Sequence, residues 1–330
     1  MRCRSLGHWP SQDRAASQLP SAVMIQDNPK VSVCLMTYNG AATVERALTS
    51  LLAQTYHDYE LIISDDHSVD GTLAICRRVA DGHEQVIFIR PERNIGAQPN
   101  MRFGLSHARG KYFVWACQDD YWHPKFLERL VRALEQSPKA ICAQGWVRWF
   151  SEDETRYHDL RLSGRDLPER QSRLGLATAI LTARSQEGNR HGRSVFKNNI
   201  FMHGVWDRAA FAVALKAHGK PFFSERQILC QLALSGDFRY VDEMLFRKIF
   251  YNVPLERRRP ATDATVAARV QKHRWPELRD TLAGIWRSPR VPLRLKLLAT
   301  PRLATAFARG RLKSARIWKR LVNDYLAAAQ

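Results

Sequence analysis

The chain of 330 residues has no apolar run approaching the roughly 18 residues that a membrane-spanning helix needs. Any membrane contact is therefore expected to be peripheral. None of its six cysteines (Cys3, Cys34, Cys76, Cys117, Cys142, Cys230) stands in a CxxC pair, which excludes zinc-ribbon and thioredoxin-like readings. Several lie in apolar segments, as buried reduced thiols of a cytosolic protein do. The first 28 residues contain Arg2, Arg4 and Arg14 but no continuous apolar core, so they do not read as a secretory signal. Rich in Ser, Gln and Pro, they read as a disordered tail, and Met24 is a candidate start of translation. There is no internal repeat and no low-complexity block. Acid is scarce: 32 Asp+Glu face 51 Lys+Arg, a net charge of +19. A surface that basic seeks polyanions such as nucleic acid, an anionic membrane face or phosphate-bearing substrates. What is plentiful is apolar: the 45% hydrophobic content excludes a wholly disordered chain.

The apolar residues are arranged in a repeating order. Val31 to Met36 is a short, β-branched run followed by the turn residues Thr37-Tyr38-Asn39-Gly40, which predicts a strand buried on both faces. Val44, Ala47, Leu48, Leu51 and Leu52 then recur at helical spacing. Tyr59 to Ser64 predicts a second strand, ending in Asp65-Asp66, and Asp70-Gly71-Thr72 opens a second helix. Val86 to Arg90 predicts a third strand. Tyr112 to Ala116 predicts a fourth, ending in Gln118-Asp119-Asp120, with a helix stripe at Leu127, Leu130, Val131 and Leu134. Strands and helices alternating in units of about thirty residues imply a parallel sheet covered on both faces. In such sheets ligands bind beyond the carboxyl ends of the strands. Three of those ends carry polar residues here, two of them paired carboxylates. Crowded carboxylates repel unless a cation or hydrogen-bond donors offset the charge.

After about residue 140 the pattern weakens. The span from Arg156 to Arg193 reads as a long polar loop with short helices. Helical spacing returns at Ala209 to Leu215 and over Phe222 to Leu234, and Phe238 to Val241 reads as strand. From Leu255 onward there are eighteen Lys+Arg against five Asp+Glu. Within that stretch Trp318, Leu321, Val322, Tyr325 and Leu326 form the apolar stripe of a basic amphipathic helix. Arg257-Arg258-Arg259 reads as a solvated face.

The ordered motifs from Val31 to Thr72 resemble the opening of family 2 glycosyltransferases of the GT-A fold. The likeness continues through Arg93-Asn94-Ile95-Gly96, Asn100, Ala108-Arg109-Gly110-Lys111-Tyr112 and Gln118-Asp119-Asp120-Tyr121-Trp122. It is strong over about 30–140 and weak over 195–250. The resemblance implies an α/β fold of mostly parallel sheet flanked by helices, with a basic α-helical C-terminal extension. The implied division is a tail over 1–28, a glycosyltransferase domain over 29–250 and the basic region over 251–330. Within the domain, the nucleotide-sugar half covers about 29–140 and the acceptor half about 141–250.

The same resemblance implies site residues. Thr37, Tyr38 and Asn39 would cradle the nucleotide base, and Asp65 or Asp66 would meet base or ribose. Asn94, Gly96, Asn100 and Gln118 fall around the diphosphate and sugar. Asp119 and Asp120 would hold Mg²⁺ or Mn²⁺, since hard cations want oxygen ligands. Many relatives carry D-x-D-D at that place. Here the first position is Cys117, and a thiol is a poor ligand for a hard cation. Glu225, in Ser224-Glu225-Arg226-Gln227, stands where the family places its general base; capping of a helix N-terminus is the plainer role for it.

The implied activity is inverting transfer of a sugar from a nucleotide-sugar donor to a glycan or lipid-linked acceptor, in surface polysaccharide or glycoconjugate synthesis. The expected place is cytoplasmic, peripheral on the inner face of the cytoplasmic membrane. The basic C-terminal region would meet anionic lipid there. Nucleic acid is the weaker partner, because no stacking platform or nucleic-acid motif accompanies the charge. The rival reading is a catalytically inactive scaffold of the same fold that binds nucleotide or an anionic surface.

Overall fold

The computed structural model describes residues 28–151, 154–182, 197–218, 225–250 and 274–309. Its first part alternates as the apolar runs predict: β1 (Val31–Thr37), α1 (Val44–Leu52), β2 (Tyr59–Asp65), α2 (Thr72–Val79), β3 (Val86–Ile89), α3 (Ala97–His107) and β4 (Tyr112–Cys117). These strands pair parallel in the order β3-β2-β1-β4. Every residue of β2 is buried, and in β1 only Met36 is partly exposed. Helices cover both faces of these strands, so neither face needs polar residues and the runs are continuously apolar. A fully buried Leu or Ile contributes about 1.5–3 kcal/mol. Leu35, Leu48, Leu51, Leu61 and Ile62 are all fully buried and anchor this part of the chain.

Helix α3 has no clear apolar stripe, and its spacing does not announce it. Pro99 sits in its first turn, where a missing N–H costs nothing. Gly104 faces β1 closely; a Cβ there would come within 2.2 Å of Cys34 Sγ.

Beyond β4 the sheet becomes mixed. The chain continues through β5 (Tyr121–Trp122), α4 (Phe126–Glu135), β6 (Ala140–Ser151), β7 (Tyr157–Leu160), α5 (Arg173–Thr182), β8 (Val205–Asp207), α6 (Arg208–His218), α7 (Glu225–Ser235) and β9 (Asp237–Phe250). The full order is β3-β2-β1-β4-β8-β6-β9-β5, with β7 on the side of β6. Strand β8 is antiparallel to both β4 and β6, while β6 and β9 run parallel. The strand expected only at Phe238 to Val241 thus extends to Phe250. The β6–β9 register shifts at Gly145/Trp146 and Trp146/Val147, and such irregularity breaks the twofold alternation that would have marked the strands. The segment read as a long loop from Arg156 holds β7 and the ten-residue α5; its part over 183–196 lies outside the described residues.

Helix α8 (Arg274–Arg287) packs on α6 and α7, with Ile285 and Leu278 buried and Gly284 against the ring of His218. A further helical stretch covers 293–309. Met24, Arg257-Arg258-Arg259 and the amphipathic stripe from Trp318 to Leu326 lie outside the described residues. Among the described residues no helix is long and apolar enough to cross a membrane.

The turn into β4 gives a direct test of this packing. Gly110 N–H donates to Ser32 Oγ at 2.8 Å, and a Cβ on Gly110 would lie 2.6 Å from the Ser32 backbone nitrogen. Gly110→Ala must push two strand backbones apart. We expect it to cost about 1–3 kcal/mol, read as a lowered urea midpoint with unchanged slope.

Candidate functional site

Strands β1, β2 and β4 are parallel and in register, so their carboxyl ends lie side by side. Thr37 at the end of β1 donates from Oγ1 to Asp65 Oδ1 at 3.0 Å. Asp65 also accepts from Ser68 N–H at 3.1 Å and pairs with Arg90 Nε at 3.3 Å. Asp66 accepts from the backbone N–H groups of Ile95 (2.7 Å) and Gly96 (2.8 Å), and Asn94 Nδ2 donates to the Asp66 carbonyl at 3.0 Å. Burial raises the Asp66 carboxyl above its ordinary value, against those two amides. Asp65 and Asp66 are therefore buried residues that shape the loops around them. Asn100 is buried as well; its amide accepts from Ser64 Oγ and donates to the Ser64 carbonyl, which fastens α3 to β2.

The loop after β1 is held from the other side. Gln118 clasps the Tyr38 backbone with two hydrogen bonds: Tyr38 N–H donates to Oε1 at 2.8 Å, and Nε2 donates to the Tyr38 carbonyl at 3.0 Å. Its amide lies directly over Gly40, where a Cβ would be 2.1 Å away. Asn39 adopts a left-handed φ of 46° and accepts from Val69 N–H at 3.0 Å. Tyr38, Asn39 and Asn94 are exposed on this rim, with the Tyr38 ring 47% accessible.

Asp119 and Asp120 follow Gln118. Asp119 is half-buried and Asp120 fully buried. Lys248, from β9, donates to Asp120 Oδ2 at 2.8 Å. Asp120 Oδ1 is buried with no hydrogen-bond partner. Burial pushes the Asp120 carboxyl up to about 7, against the pull of Lys248 and with a push from Asp119. Burial opposes the charge of Lys248, but Asp120, Cys117 and Asp119 outweigh it and hold the ammonium above its ordinary value.

Beside this pair is a cavity of about 150 Å³ lined by Trp115, Cys117, Val147, Trp149, Ile200, His203, Glu225, Phe246 and Lys248. Glu225 is the first residue of α7, so both its cavity place and a helix-start role hold at once. Burial raises its carboxyl, against Lys248. A larger open groove of about 710 Å³ lies between Arg161, Glu169 and Tyr240. There Arg161 pairs with Asp242 and Glu169 accepts from Tyr240 N–H.

The structure thus gathers Asp120, Cys117 and Glu225 around one cation, Lys248, with Asp119 adjoining. The rim of Thr37, Tyr38, Asn39, Gln118, Asn94 and Gly96 lies on the same side of the sheet. Asn100 sits beneath that rim. Sequence reasoning passed over Lys248. The signal for Lys248 was its parity: it stands two residues after the fully buried Phe246, at an inward position where lysine is costly without a partner.

The donor set was tested for the divalent cation that the motifs imply. An unpartnered, buried carboxylate oxygen at Asp120 and a second carboxylate at Asp119 suit a cation. Cys117 and His203 depart from an all-oxygen shell.

The sequence model of the family described as Glycosyl transferase family 2 matches residues 32–196, half of the chain. EpsE of Bacillus subtilis, a protein named as a glycosyltransferase, is 35% identical over 113 residues, covering 34% of this chain and 41% of EpsE. The cholesterol galactosyltransferase of Borreliella burgdorferi is 33% identical over 123 residues, 37% of this chain and 34% of that protein. These matches span about two fifths or less of the relatives' own length. In shape, the chain resembles residues 1–349 of S. aureus TarS with a TM-score of 0.54 at 15% identity, over 84% of this chain and 71% of that one. The architecture is accordingly the GT-A type.

Proposed function

The chain belongs to glycosyl transferase family 2, and from that premise we propose that it moves a sugar, with inversion, from a nucleotide-sugar donor to a glycan or lipid-linked acceptor. The observation that carries this reading is the cavity lined by Glu225 and by Lys248, which holds the buried Asp120, beside the rim of polar strand ends. The exposed Tyr38 and Asn39 bind the base, over a floor held by Thr37, Asp65 and Asp66. Asn94, Gly96 and Gln118 border the diphosphate, and Asn100 fastens the helix that follows Gly96 to β2. Glu225 takes the proton of the acceptor hydroxyl as its oxygen attacks the anomeric carbon. The bond from that carbon to the diphosphate breaks on the opposite face, and the configuration inverts. Lys248 supplies a fixed positive charge near the departing phosphate, in a site partly shielded from water. When bound by Asp119 and Asp120, Mg²⁺ or Mn²⁺ supplies further neutralisation of the leaving diphosphate.

A thermal-shift panel of UDP, GDP, dTDP and CDP, each with and without divalent metal, tests the donor site. One nucleotide at a hundredfold excess over its dissociation constant should stabilise the fold by about 2.7 kcal/mol. No shift with any of them would move the reading to the scaffold without activity.

The acceptor side has its own support. Leu293, Leu297 and Leu298 are 64%, 56% and 57% exposed, and Trp286 is exposed beside them. Arg287, Arg290, Arg294 and Arg302 are exposed around them. Exposed leucines with exposed arginines close by in sequence suit the face of an anionic bilayer, where each basic side chain gains about 1 kcal/mol. That would put the enzyme at the cytoplasmic membrane face, in assembly of surface polysaccharide or glycoconjugates. We expect the chain to float with anionic vesicles at low salt, and Leu293→Asp with Leu297→Asp to release it. Absence of flotation, with salt-dependent retardation of DNA instead, would assign the basic face to nucleic acid.

A further inference from the structure

Two side chains that line the cavity, Cys117 and His203, and the buried Asp120 beside it are spaced as ligands of one ion. Cys117 Sγ, a carboxylate oxygen of Asp120 and a ring nitrogen of His203 all lie within 4.8 Å of one another. Asp120 is fully buried and His203 is 8% exposed. Two of their atoms, Asp120 Oδ1 and His203 Nδ1, are buried with no hydrogen-bond partner. Buried polar atoms are nearly always satisfied, so two orphans in one cluster point to a missing partner. The other oxygen of Asp120 is held by Lys248 at 2.8 Å, which leaves Oδ1 for that partner. The His203 ring is stacked on Phe246, with centroids 5.2 Å apart, and is fixed in place.

The chemistry of the set narrows the ion. Thiolate and imidazole suit zinc and its neighbours; magnesium prefers an all-oxygen shell and keeps its waters. Three protein ligands also leave a fourth position open, the arrangement of catalytic rather than structural zinc sites. We propose that Cys117, Asp120 and His203 form a three-ligand site for Zn²⁺ or a cation of like softness, so that this chain selects its metal differently from an all-carboxylate site. As the metal–sulfur bond forms, the thiol proton leaves to solvent; no electron is transferred. Because Asp120 is shared, this ion takes the place of Mg²⁺ or Mn²⁺ there. The inference deepens the donor-site reading and rests on it for what fills the open position.

Cobalt titration of the metal-stripped full chain tests it without any sugar donor. We expect a thiolate-to-cobalt charge-transfer absorption that one equivalent of Zn²⁺ removes and a tenfold excess of Mg²⁺ leaves. Cys117→Ser should abolish the band, although four other described cysteines remain. It should also weaken Zn²⁺ binding by roughly tenfold or more, as should His203→Gln. A band that survives in Cys117→Ser, a band that Mg²⁺ displaces, or no band at all would overturn the site. Far-UV circular dichroism of each variant shows whether it has folded. The nucleoside diphosphate thermal shift is read separately. No cobalt band in the parent chain, with nucleotide binding kept, sinks this inference alone, whereas no nucleotide binding with any metal sinks the donor-site reading.

Discussion

Glu225→Gln is expected to lower kcat by about 10²–10⁴-fold while donor KM stays near that of the parent chain. The amide keeps the shape and the helix start of α7 but accepts no proton. Burial already holds the Glu225 carboxyl above its ordinary value, which brings a carboxylate closer to the range useful for accepting an acceptor proton. The pH profile separates roles. In the parent chain, turnover should fall as pH drops through about 7, where Asp120 takes up a proton, and fall further as Glu225 does. In Glu225→Gln the residual rate should keep the step near 7 and lose the one that belongs to Glu225. An unchanged kcat would remove Glu225 from the chemistry and leave it a helix-start residue.

Asp120→Asn is expected to abolish measurable turnover and to cost about 3–5 kcal/mol of stability, because it leaves the Lys248 ammonium in the cavity without its counter-ion. The double variant Asp120→Asn with Lys248→Met should recover most of that stability and none of the activity. Urea denaturation of the four chains measures both effects as a cycle. If the double variant is as unstable as the single one, the pair is not coupled as described. The pH dependence of stability has a definite sign. Lys248 adds stability that is fully present below its unfolded value of 10.5 and is lost only above it.

The sheet's first four strands were legible because burial on both faces leaves unbroken apolar runs such as Val31 to Met36 and Tyr59 to Ser64. Their polar ends were legible for the same reason, since Asp65-Asp66 and Asp119-Asp120 interrupt those runs abruptly. The β6–β9 pair was not. Its outer positions, Arg239, Asp242 and Glu243, are partly or fully exposed, and its register slips twice near Gly145. Polar residues and broken alternation together resemble a loop. Helix α3 was hidden by Pro99 and Gly104, which lower helix propensity yet are needed at a first turn and a close crossing. Within the site, Glu225 and the paired acids were named from their motif context. Lys248 stands 128 residues from Asp120, and no local spacing joins two residues so far apart. Cys117 was visible only as a departure, and nothing in the motifs joined it to His203. Their meeting is a product of the fold, made when β8 inserts between β4 and β6.

The clasp of Gln118 on the Tyr38 backbone ties the evolution of two distant positions together. The Gln118 amide reaches Tyr38 only because residue 40 has no side chain. A methyl group at 40 would not unfold the protein, for the glutamine can swing away. It would instead unlatch the loop after β1 from the residue that precedes both aspartates. Positions 40 and 118 are thus free to drift only as a pair. In a descendant, a side chain at the first and a short residue at the second would mark a base-binding loop that moves independently of the acids.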